Sequence, residues 1–131
     1  MVGYDGAQGG PFNVGSGGVY ATEWTAAHFK MWFWPAGHIP SDVLGGAPSP
    51  QSQEWGLPLA YFPLGPRCSP DHFRDLQIVY DLTFCGSWAG AVFPSMCPGL
   101  GACEAYVADN PDAFREAYWN VTALRVFQLQ A

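Results

Sequence analysis

The acid–base chemistry open to this 131-residue chain rests on eleven carboxylates: Asp5, Glu23, Asp42, Glu54, Asp71, Asp75, Asp81, Glu104, Asp109, Asp112 and Glu116. Cutting a glycosidic bond takes two carboxyl groups flanking it, ~5 Å apart for retention and further for inversion. Alternate residues of a strand share a face, so two acids on one strand must stand at i and i+2. No two of the eleven do. Glu23 and Asp81, placed on different strands, are the candidate catalytic pair that remains. Nucleophilic routes have less to offer. The chain holds no Gly-x-Ser-x-Gly elbow, no phosphate-binding Walker loop and no His-Glu-x-x-His. Ser87 follows Gly86 but precedes Trp88, where a helix is not expected.

Binding chemistry is better supplied. Trp88 sits in Cys85-Gly86-Ser87-Trp88-Ala89-Gly90, among small residues just past an apolar run. A rigid indole offers an apolar face to the C–H side of a pyranose at little ordering cost. Asp81 and Thr83, alternating on the preceding run, supply groups that bond sugar hydroxyls. A plain core-edge role for Trp88 is the competing reading, since tryptophan is highly buried on average.

Composition narrows the partners. Net charge is −6, and the five basic residues, Lys30, Arg67, Arg74, Arg115 and Arg125, are scattered. Nucleic acid and anionic lipid both need clustered cations, so neither is an expected partner. No apolar run approaches the ~20 residues that span a bilayer, so membrane insertion is not expected. Aromatics at 16% with charged residues at 12% argue against disorder.

The even set of cysteines, Cys68, Cys85, Cys97 and Cys103, reads as two disulfides in an oxidising, secreted setting. Four cysteines allow three pairings. Proximity in sequence suggests Cys68–Cys85 and Cys97–Cys103. His28, His38 and His72 lack metal-ligand spacing, and no metal or cofactor is expected. Asn120-Val121-Thr122 is a glycosylation sequon that agrees with secretion. Met1-Val2-Gly3-Tyr4 lacks the basic start and apolar run of a leader, so a removed leader or a piece of a longer protein is expected.

The elements that position these residues read as one mainly β domain. Residues 1–18 are a Gly-rich lead-in loop. Strands are expected over 19–25, with Tyr20, Thr22 and Trp24 on one side, and over 28–34, with Phe29, Met31 and Phe33 on an apolar face. Residues 36–67 form a long Pro-rich stretch with a short strand near Leu59-Ala60-Tyr61-Phe62. Ser69-Pro70-Asp71 starts a short helix. The run 76–85 is the clearest strand, with Ile78, Tyr80, Leu82 and Phe84 inward. Residues 86–103 read as a loop, 110–118 as a second helix opened by Asn110-Pro111-Asp112, and 119–128 as a final strand.

Taken in order, GGVYATEWT, FKMWFWPAGHIPSDV, WGLPLAYFP, CSPDHF, IVYDLTFCGSWAG, CEAYVADNPDAFREAYWNV and LRVFQ resemble the C-terminal part of fungal glycoside hydrolase family 16, the laminarinase-type endo-β-1,3(4)-glucanases. The resemblance runs over about residues 14–129 and is more specific than any single motif. It implies a jelly-roll β-sandwich, partial or completed, with two short helices and disulfide-braced loops. It also implies a concave face for β-glucan or a related oligosaccharide. The family's Glu-x-Asp-x-x-Glu motif is absent from this sequence. By position, Trp88 corresponds to a family tryptophan that stacks on sugar, and Asp81 and Thr83 to cleft-lining positions. Ser87 replaces a usual Asp and Ala36 a usual Arg, and both changes remove charge near the expected cleft.

Three functions follow. The first is a non-catalytic, lectin-like, secreted glycan-binding protein using Trp88, Asp81, Thr83 and Ser87. The second is a protein- or cell-surface-binding effector. The third is a share of a glucanase whose carboxylates come from another chain. A portion of a sandwich leaves sheet edges unpaired, so repacking alone, homodimerisation or pairing with an N-terminal chain are the structural expectations.

Overall fold

The computed structural model describes residues 17–128. The Gly-rich stretch before Gly17 and the last three residues lie outside the described residues. The chain divides into two compact units, Met1–Leu76 and Gln77–Ala131.

The first unit is built on an antiparallel sheet of order β1-β2-β3: β1 (Gly18–Trp24), β2 (His28–Pro35) and β3 (Ala60–Pro63). Period-2 alternation sets β1 and β2, as expected from sequence. The turn between them is closed by Thr25. Its backbone N–H donates to the His28 carbonyl at 3.0 Å, and its hydroxyl oxygen accepts from the N–H groups of Ala27 and His28. At the far end Gly18 passes so close to β2 that a Cβ there would collide with the Trp34 carbonyl oxygen.

The register sorts the side chains into two faces. Val19 opposes Trp34, Ala21 opposes Trp32, and Glu23, Lys30 and Tyr61 form one row. On the other face, Trp24, Phe29 and Phe62 form a row beside Thr22, Met31 and Ala60. The Pro-rich stretch covers the first face; on the other, Phe33 is buried beside Tyr20 while Trp24 and Phe62 are half exposed. Helix α1 (Ser41–Leu44) and a 3-10 turn (Gln53–Trp55) fold back over β2. Trp55 stands edge-on to both Trp32 and Trp34, each at 4.9 Å, and Val19, Ala21, Ile39 and Val43 pack around the trio.

Two acids hold that cover. The Asp42 carboxylate accepts from the Trp55 indole at 2.9 Å and from the Ser49 N–H at 2.7 Å. Glu54 accepts from the N–H and hydroxyl of Ser41, at the start of α1. Desolvation pushes the Asp42 carboxyl up, but the hydrogen bonds from Ser49, Trp55 and Val43 together bring it below its ordinary value.

The second unit is helical among its described residues. Helix α2 (Ala89–Met96) and helix α3 (Cys103–Asp109) are followed by a 3-10 turn, Pro111–Phe114. This corrects the reading of 86–103 as a loop: Gly90 and Pro94 argue against a helix, yet α2 forms, with Phe93 packed 5.8 Å from Tyr106 of α3. The α-helix expected over 110–118 lies one turn earlier, and only a 3-10 turn and a bend follow it. The helix expected at Ser69 is likewise a single 3-10 turn, Pro70–His72. Three α-helices are therefore described where two were expected. The runs 76–85 and 119–128 carry no strand assignment. A strand exists through its ladder, and no described segment pairs with either run.

Two outcomes test this packing. Trp55→Ala removes the keystone of the covered face and lowers unfolding free energy by about 3–5 kcal/mol in urea titrations followed by tryptophan emission. Asp42 has a lowered pKa, so its contribution is complete above the ordinary value of 3.8 and is lost as pH falls below it. Asp42→Asn is therefore less stable than the parent chain at pH 6, and the gap narrows as unfolding is repeated below pH 3.8. A gap independent of pH contradicts this assignment.

Candidate functional site

The residues singled out for binding gather around one turn of the second unit. Gln77–Phe84 runs in without a ladder, and Cys85 reverses the chain at φ 52°, a left-handed conformation uncommon for a non-glycine residue. Gly86, Ser87 and Trp88 lead from there into α2. Ser87 thus does precede a helix, by two residues, though in no Gly-x-Ser-x-Gly setting. The Gly90 N–H donates to the Gly86 carbonyl at 2.7 Å and the Val92 N–H to the Trp88 carbonyl at 3.1 Å, so the turn is fastened to the helix it opens.

A disulfide braces that turn from below. Cys85 is bonded to Cys103, the first residue of α3, with the Cα atoms 5.7 Å apart. The expected pairings Cys68–Cys85 and Cys97–Cys103 are thereby corrected, as is the expectation of two disulfides. Nearness in space rather than in sequence selects the partner, and the chain reversal at Cys85 brings it to the start of α3. Cys68, in the first unit, and Cys97, capping the end of α2, are free thiols.

Trp88 is 83% exposed, so the core-edge reading does not describe it. Its neighbour Ser87 is exposed as well. Asp81 and Thr83 are exposed and adjacent, with the Thr83 hydroxyl donating to the Asp81 carboxylate at 3.4 Å. Thr83 also lies against Gly86, where a Cβ would come within 2.8 Å of the threonine methyl. The polar pair and the Gly86-Ser87-Trp88 turn are therefore contiguous. Sequence reasoning missed Trp119. Its indole donates to the Asp81 carbonyl at 2.8 Å, and its ring lies 5.7 Å from Tyr80, fixing the segment that carries Asp81. Nothing in its spacing sets Trp119 apart from the other aromatics.

The remaining candidates lie elsewhere. Glu23 belongs to the first unit, where its carboxylate faces the His28 ring nitrogen at 2.8 Å and the Lys30 ammonium at 3.5 Å, while Gln51 donates to its other oxygen. These contacts tie Glu23 into the edge of the covered face. Asp81 belongs to the second unit. Asn120 is exposed. Ala36 is exposed in the turn after β2. His38 is exposed in a loop and His72 ends a 3-10 turn. Among the described residues no group of three or more His, Cys, Asp or Glu is arranged to hold a metal ion.

The family model for XgeA-like, catalytic GH16 domains matches residues 3–127. The chain belongs to glycoside hydrolase family 16. Among its family-16 relatives, a probable endo-1,3(4)-beta-glucanase of Aspergillus niger is 41% identical over 98% of this chain but only 18% of its own length. The endo-1,3(4)-beta-glucanase xgeA of Emericella nidulans is 38% identical over 98% of this chain and 21% of its own. The chain thus spans about a fifth of these relatives. Among solved structures, an elongating GH family 16 beta-1,3-glucosyltransferase superposes with a TM-score of 0.71 at 35% identity, over 87% of this chain and 40% of that one. Laminarinase 16A from Phanerochaete chrysosporium, solved with beta-glucans in both donor and acceptor sites, gives 0.64 at 37% identity over 86% and 39%.

Thiol chemistry tests the brace. The unfolded, unreduced chain has two thiols that react with a thiol reagent, and Cys85→Ser raises the count to three. That variant also loses about 3 kcal/mol of stability, the cost of freeing a loop of this size.

Proposed function

We propose that this family-16 chain is the saccharide-holding portion of a secreted β-1,3(4)-glucan-acting jelly-roll sandwich. It binds glucan at Trp88 and has no catalytic carboxylate pair of its own. The observation that carries the reading is the 83% exposure of Trp88 in a disulfide-braced turn beside Asp81 and Thr83. The stacking surface is the indole face. The Asp81 carboxylate accepts hydrogen bonds from sugar hydroxyls, while the hydroxyls of Thr83 and Ser87 both donate and accept. The solved laminarinase with bound beta-glucans and the relatives named glucanases support the substrate class. Exposed Asn120 in its sequon supports secretion, with a glycan at that position.

A second reading has its own support. The matching family model is that of a catalytic domain. On this reading the chain contributes to hydrolysis when another segment supplies the two carboxylates, and the Trp88 surface serves as a subsite wall.

Titration calorimetry with laminari-oligosaccharides separates the claim from its absence. The parent chain binds, and Trp88→Ala weakens binding by at least ~30-fold, the order expected for truncating a central aromatic anchor. Asp81→Asn weakens it by less. Binding that survives Trp88→Ala unchanged overturns the site.

A further inference from the structure

We draw no further inference here: the strongest candidate, the apolar trough of about 440 Å³ that Phe29, Met31, Phe62, Cys68, Phe73 and Leu76 line in the first unit, carries none because nothing in the structure shows what covers it.

Discussion

The indole of Trp55, wedged edge-on between Trp32 and Trp34 and held by the Asp42 carboxylate, makes a core in the first unit. Without it the Pro-rich stretch has no reason to return to β2, and the face bearing Trp32 and Trp34 would lose its cover. Burying so large a ring is favourable only if its N–H is satisfied. Asp42 does this while also taking the backbone N–H groups of Val43 and Ser49. One carboxylate thus fixes the start of α1, the turn beyond it and the tryptophan that closes the core. Glu54 repeats the logic from the other side through Ser41. Two of the chain's acids are therefore spent on folding, and Glu23, with His28 and Lys30, is a third.

The turn proposed to bind saccharide depends on a different constraint. An exposed tryptophan is a useful platform only if its backbone is held still, because ordering it on binding costs affinity. The reversal at Cys85, the disulfide to Cys103 and the hydrogen bonds into α2 supply that rigidity without burying the ring. Asp81 is held through its backbone by Trp119, which leaves its carboxylate to face outward beside Thr83.

Much of this was legible in the sequence where the causes are local. Period-2 alternation gave β1 and β2 nearly residue by residue, and Ser69-Pro70-Asp71 marked a true, if brief, helical turn. Asp81 and Thr83 share a side because they are two apart. The errors came where partners far along the chain decide. The residues 76–85 read as a strand because their pattern is strand-like, but a ladder needs a second segment. Gly90 and Pro94 hid α2, whose packing on α3 overrides propensity. The disulfide followed the path of the chain rather than the spacing of its cysteines. The likeness to family 16 was legible because it resides in the order of many short strings, and the match over residues 3–127 bears it out.

The central proposal is a separation of holding from cutting: the exposed Trp88 turn holds glucan, and hydrolysis needs carboxylates from outside this chain. Release of reducing ends from laminarin by the isolated chain tests this most directly. The account predicts no release above a buffer blank over a day at pH 5. Sustained release by the isolated chain that is lost in Glu23→Gln or Asp81→Asn would contradict it.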